Sequence, residues 1–287
     1  MIKILGHRGV RWKSAPYENT IPAFAEALTN ADGLETDIVR AADGTLFLVH
    51  DVLFNGNGTR YMLADHLDDN SRKRVGDRRI DQMAAAEVSD LRLLDGQTIP
   101  RLTDFLVDCA IPGTATLNLE LKSFDTAIPV LEACKTFIRP DQLILSSFNH
   151  PELLKAAGYV PAVRCGLLLE PSGTIKTPMY SWRAAPGGAF YTPYSLEYLK
   201  DPVVRDIAPW SFHIEESDLS VRTIEDIKTL FPEAKILIWW WMGNPEPPPA
   251  ENKDLFVRLE SLDKAGLLDS LHAIITDFPR EMKEAVP

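Results

Sequence analysis

Eight short apolar runs rich in β-branched residues alternate with segments whose apolar residues recur at helical spacing. The runs are Ile2–His7, Leu34–Val39, Thr116–Lys122, Gln142–Phe148, Ala162–Glu170, Ser211–Glu215, Lys235–Trp241 and His272–Asp277. Helical patterns lie between them at Ile21–Leu28, Thr126–Phe137, Pro151–Ala157, Thr223–Phe231 and Asn252–Ala265. Repeated strand-then-helix units imply parallel strands joined by crossover helices, an α/β fold. Eight such strands predict a (β/α)8 TIM barrel, with its chemistry at the C-terminal strand ends. An open doubly wound sheet is the rival, but no G-x-G-x-x-G follows any run. A length of 287 residues fits one barrel, read as a single domain over 1–287.

Two stretches break the rhythm. Leu46–Val49 is a further apolar run, joined to the second strand through the hairpin signal Asp43-Gly44. Residues from about 52 to 99 then read as a small insertion after the second strand, polar at first and helical around Gln82–Leu91. Its basic run Arg72–Arg79 reads as a solvated face, with contact to an acidic surface as the alternative. The long connection Pro171–Pro209 holds many of the aromatic residues, and Pro245–Pro249 is a stiff loop.

Composition narrows the partners. With 41 acidic and 30 basic residues the net charge is −11, which argues against a nucleic-acid binder. A small anionic substrate held at a local metal ion is compatible with that charge. Cys109, Cys134 and Cys165 are odd in number and widely spaced, so neither a disulfide framework nor a C-x-x-C metal site is indicated. Their apolar surroundings predict inert buried thiols. The opening Met1–Gly9 turns polar before a signal-peptide apolar region could form. No apolar run approaches the ~20 residues that span a bilayer. The expectation is a cytoplasmic protein without stable membrane insertion.

The chemistry begins with Glu35-Thr36-Asp37. Residues at i and i+2 of a strand share a face, so both carboxylates aim together. Inside a barrel that is unfavourable unless one is protonated or a cation lies between them, and a hard divalent cation is the natural resolution. By the same arithmetic Asn118, Glu120 and Lys122 share a face in the third strand. Glu120 can supply a third carboxylate, and Lys122 can meet a phosphate. Carboxylates without cysteine favour Ca²⁺, Mg²⁺ or Mn²⁺ over Zn²⁺. His7 and His50 close apolar runs on the same presumed face and suit a general acid and a general base. Glu18-Asn19-Thr20 precedes the first helix, with Thr20 as N-cap and Pro22 in the first turn. It reads as capping and loop bracing, or as a helix start facing an anion.

Taken in order, these segments resemble the glycerophosphodiester phosphodiesterase family. The resemblance rests on His7-Arg8-Gly9, Glu18-Asn19-Thr20, Gly33–Asp37, Asp43-Gly44, His50-Asp51, Ile99–Leu102, Leu119–Lys122, Ser146–Phe148 and Ile275–Pro279. It implies a phosphatidylinositol-phospholipase-C-like barrel acting on a small glycerophosphodiester. It further implies that Glu35, Asp37 and Glu120 bind one Mg²⁺ or Ca²⁺, that His7 and His50 are the acid/base pair, and that Arg8 and Lys122 hold the phosphate. Trp241 aligns with the family's site-lining tryptophan, although the family's Trp-Thr-x-Asn is Trp241-Met242-Gly243-Asn244 here. Tyr17 also stands where a proline usually precedes Glu-Asn-Thr. Two other readings are a lysophospholipid-cleaving phospholipase D-type enzyme on the same barrel and a binding protein that has lost catalysis. The aromatic residues of the Pro171–Pro209 connection, with Trp239 and Trp241, either pack the barrel mouth or border the leaving alcohol.

Overall fold

The computed structural model describes residues 1–10, 17–50, 66–76, 78–178, 190–240 and 246–286. The first six strands, in chain order, are β1 (Lys3–Gly6), β2 (Gly33–Arg40), β3 (Leu46–Leu48), β4 (Thr116–Leu121), β5 (Leu143–Ser147) and β6 (Arg164–Leu168). They are followed by β7 (Thr177–Pro178), β8 (Phe190–Tyr191), β9 (Ser211–Glu215), β10 (Lys235–Trp239) and β11 (Leu271–Thr276). Every neighbouring pair among β1, β2, β4, β5, β6, β9, β10 and β11 is parallel, and β1 pairs with both β11 and β2. The sheet is therefore a closed eight-stranded parallel barrel with helices between its strands. Each strand of the predicted barrel is present.

The crossover helices form for local reasons. Thr20 caps the helix Ile21–Asn30 by accepting from the Ala23 amide, and Pro22 pre-sets the first turn. Ser220 and Asn252 cap Val221–Leu230 and Lys253–Lys264 in the same way. The core lies mainly between barrel and helices, where Phe24, Leu34, Ile38, Leu117, Leu119 and Phe212 are buried. A smaller apolar plug of Leu5, Ile144, Leu237, Ala273 and Ile275 fills the barrel itself. Gly166 makes room there for the fully buried His213 ring, because a Cβ would stand 2.4 Å from His213 Nε2.

β3 returns antiparallel on β2 through a turn whose Gly44 has φ 94, so the Asp43-Gly44 hairpin forms as expected. The insertion builds its own cluster of Leu67, Val75, Ile80, Val88 and Leu91 against Val39 and Phe47. Its described residues include the helices Asp69–Val75 and Ala85–Ser89. The basic run is spent mostly within the insertion: Arg78 pairs with Glu87 at 2.8 Å, and Arg79 pairs with Asp81. Among its described residues, the Pro171–Pro209 connection contains two short helices, Leu196–Leu199 and Pro202–Ile207, which periodicity did not reveal. Cys109, Cys134 and Cys165 are free and buried, and burial pushes the last two thiols up to about 12. No helix of the described residues is long and apolar enough to cross a membrane.

Candidate active site

Strand alternation builds the floor of the site. On β2 and β4 the residues Leu34, Ile38, Leu117, Leu119 and Leu121 join the core outside the barrel, which turns Glu35, Asp37, Asn118 and Glu120 inward. The parallel register sets Asp37 opposite Glu120 and Glu35 opposite Asn118. Carboxylate oxygens of Glu35, Asp37 and Glu120 consequently lie within 4.8 Å of one another. Lys122 Nζ reaches Glu120 Oε1 at 2.6 Å and Asp37 Oδ1 at 3.3 Å.

The turn after β1 brings in His7 and Arg8. Arg8 takes the left-handed region at φ 53. Gly9 follows at φ 83, where a Cβ would meet the Ala23 backbone at 2.8 Å, so only glycine fits this close approach to the first helix. The Arg8 amide donates to Glu35 Oε2 at 3.1 Å. Its guanidinium is 2% exposed and donates through Nη1 to Glu18 Oε1 at 2.6 Å, with Nε 3.3 Å from Asp37 Oδ2. Arg8 therefore sits under the carboxylates, while Lys122 lies nearer the opening. Asn19 donates to Asp37 Oδ2 at 3.1 Å and accepts from the Thr36 hydroxyl at 2.7 Å. The Glu18-Asn19-Thr20 triplet thus does more than cap: two of its side chains orient site residues.

His50 follows β3, whose register is tied in by Val49 N donating to Asp37 O at 3.0 Å. It borders a small cavity also lined by Glu18, Asn19 and Leu93, and its charge acts on Asp37. On the other side, His7 Nδ1 lies 2.6 Å from Asp277 Oδ1, and His7 Nε2 lies 3.9 Å from Glu35 Oε2. An ionised carboxylate only accepts, so Nδ1 carries the proton and Nε2 is the basic nitrogen. Asp277 was visible in sequence only as part of the final motif, because its partner is 270 residues away. Glu246, which holds Thr276 and the Asp277 amide, gave no sequence signal at all.

The aromatic residues divide. Trp239 and Tyr191 each pack edge-on to Phe148 with ring centroids 5.5 Å apart, and Lys122 Nζ stands 5.9 Å from the Phe148 ring. Tyr198 instead stacks on His150 in the outer layer, and Tyr194 packs against the main core. Trp241, Tyr180 and Trp182 lie outside the described residues, as does Asp51.

Electrostatics separate the three acids. Burial, then the charges of Asp37 and Glu120, push the Glu35 carboxyl well above the usual range. Burial also raises Glu120, against the opposing charge of Lys122. Burial alone would raise Asp37 too, but Lys122, His50, Arg8 and His7 together hold it below its ordinary value. Glu35 Oε1 is buried without a hydrogen-bond partner among the described residues. A missing partner on a buried carboxylate, within a set of oxygen donors only, fits a hard divalent cation.

Comparison with known proteins gives the family of the chain and the likeness of its barrel. Residues 7–205 match the family model described as the glycerophosphoryl diester phosphodiesterase family. A glycerophosphodiester phosphodiesterase of Bacillus altitudinis is 28% identical over 254 residues, covering 83% of this chain and 98% of that protein. Another, from Caldanaerobacter subterraneus, is 29% identical over 175 residues, covering 58% of this chain and 66% of that protein. Among solved structures, an Oleispira antarctica phosphodiesterase in complex with the product sn-glycerol-3-phosphate superposes with a TM-score of 0.67 at 22% identity, covering 99% and 96% of the two chains. A glycerophosphodiester phosphodiesterase from Agrobacterium tumefaciens gives a TM-score of 0.66 at 19% identity, covering 99% and 100%. At such identities these two speak for the shared barrel alone. The extent of the family match makes this chain an enzyme of the glycerophosphoryl diester phosphodiesterase family.

Proposed function

We propose that the protein hydrolyses glycerophosphodiesters to glycerol 3-phosphate and an alcohol, with one Mg²⁺ or Ca²⁺ held by Glu35, Asp37 and Glu120. The observation that carries this reading is the placement of His7, His50 and Lys122 around the three converging carboxylates at one barrel mouth. When bound, the cation supplies positive charge against the phosphate as negative charge develops there.

The side chains divide the remaining work. Lys122 Nζ, anchored on Glu120 and Asp37, faces the opening and meets a non-bridging phosphate oxygen. Arg8 adds its charge from below while bracing Asp37 and Glu18. One of the two histidines takes the proton of the glycerol hydroxyl next to the phosphate as that oxygen attacks phosphorus. The other gives a proton to the departing alcohol oxygen, leaving a cyclic phosphate. Water then opens the ring with the two roles exchanged. Asp277 on Nδ1 fixes the tautomer in which His7 Nε2 can perform either transfer.

The test is product identification on glycerophosphocholine, glycerophosphoglycerol and a lysophospholipid. Glycerol 3-phosphate released from the first two, and lost in His7→Ala and His50→Ala, supports the reading. Turnover of the lysophospholipid alone would replace it with the phospholipase D-type alternative.

A further inference from the structure

We infer that Glu246 is a positioning residue for His7, acting through the strand end that carries Asp277. Glu246 is 8% exposed, and its carboxylate grips two successive residues where β11 ends. Oε1 accepts from the hydroxyl of Thr276, which is fully buried, and Oε2 accepts from the Asp277 amide at 2.6 Å. The Thr276 hydroxyl in turn accepts from Phe278 N at 3.0 Å. On the inner side, the Thr276 carbonyl accepts from the His7 amide at 2.8 Å, and Asp277 Oδ1 accepts from His7 Nδ1 at 2.6 Å.

The same two residues are therefore held from both directions. The barrel ladder fixes the backbone that His7 shares with β11, while Glu246 fixes the direction in which Asp277 leaves the strand. Without Glu246 the Asp277 amide and the Thr276 hydroxyl lose an acceptor in a buried setting, and the strand end must turn to find another. Asp277 would move with it, and the His7 imidazole would lose its orientation. A carboxylate suits this task because it accepts two hydrogen bonds side by side. The hydrogen bonds of Glu246 described above go to Thr276 and Asp277, so the role assigned to it is one of positioning.

The inference rests on His7 being an acid/base residue, so the test has an arm that does not depend on turnover. Glu246→Ala is expected to lower kcat by about tenfold to a hundredfold, the scale of a small misplacement of a catalytic group. KM should stay within about twofold, because phosphate and metal contacts are untouched. Glu246→Gln keeps one acceptor and can donate to the Thr276 hydroxyl, and should retain most of the wild-type kcat. In the metal-free protein, the downfield imidazole N–H proton resonance of the His7–Asp277 bond, assigned by its loss in His7→Ala, should persist in Glu246→Gln. It should vanish or broaden in Glu246→Ala. If Glu246→Ala does not fold, Thr276→Val removes one of the two contacts and should show the same split between kcat and KM, with the same resonance weakened.

Wild-type kcat and an unchanged resonance in Glu246→Ala, or in Thr276→Val if that variant has to stand in, would overturn the inference. Equal losses of kcat in Glu246→Ala and Glu246→Gln with the resonance intact would overturn it as well, by pointing to charge rather than position. Full activity of His7→Ala would instead defeat the proposed role of His7, while the resonance would still report whether Glu246 holds Asp277 in place.

Discussion

Asp277 accepts a 2.6 Å hydrogen bond from His7 although 270 residues separate them. The contact exists because the first and last strands are neighbours in the closed barrel, with Gly6 opposite Thr276. Closure thus joins an imidazole after β1 to a carboxylate after β11.

Asp277→Asn preserves the shape of the side chain but removes the charge that steadies a protonated His7. General acid–base groups contribute about 10²–10⁴-fold, so kcat should fall by at least about the lower figure. Steady-state kinetics with circular dichroism as a fold check will decide. Near-normal turnover would show that His7 works without Asp277.

The buried carboxylates make cation binding pH-dependent. Glu35 and Glu120 titrate above their ordinary value of 4.5 in the metal-free fold, chiefly because burial disfavours their charge. The folded state therefore keeps protons that the unfolded chain has already lost. Their contribution to metal-free stability is complete below pH 4.5 and is lost as pH rises through the raised values. A cation needs the ionised forms, so its affinity rises over that window and binding releases protons. Titration calorimetry of Mg²⁺ or Ca²⁺ in two buffers of different ionisation enthalpy measures this directly. Identical apparent enthalpies would mean that no proton leaves.

The parts legible in the sequence were those set by short-range periodicity. Alternation within Leu34–Val39 and Thr116–Lys122 put Glu35, Asp37, Glu120 and Lys122 on one face, and the pairing of β2 with β4 made that face common. Asp43-Gly44 signalled the hairpin because a turn with positive φ favours glycine. Contacts decided by closure were not legible. Nothing near Asp277 or Glu246 announces a partner, and Asn19 looked like part of a cap. The helices Leu102–Asp108 and Pro202–Ile207 span seven and six residues, too few for a helical period to stand out.

Phe148, Tyr191 and Trp239 form an aromatic edge beside Lys122. If the alcohol lies along that edge, a choline headgroup gains about 0.5–2 kcal/mol from the ring faces. That corresponds to up to roughly a thirtyfold preference over an uncharged alcohol. Trp239→Ala should lower kcat/KM for glycerophosphocholine more than for glycerophosphoglycerol. Equal losses on both would assign these rings to barrel packing.

Gly166 tests the barrel interior. His213 is fully buried, and Ser211 Oγ lies 3.0 Å from its Nε2, so moving the ring would disturb that hydrogen bond. Gly166→Ala would press a methyl group against that nitrogen and should cost about 1–3 kcal/mol by overpacking. A thermal melt showing an unchanged Tm would mean that the ring shifts freely.

The role proposed for the carboxylate trio is to hold a cation required for phosphodiester cleavage. Its most direct measurement is release of glycerol 3-phosphate from glycerophosphocholine by the wild type, Asp37→Ala and Glu120→Ala, before and after exhaustive chelation with elemental analysis of the protein. Chelated wild type should be inactive, added Mg²⁺ or Ca²⁺ should restore it, and both variants should need far more metal or stay inactive. Full activity of metal-free wild-type protein would contradict it.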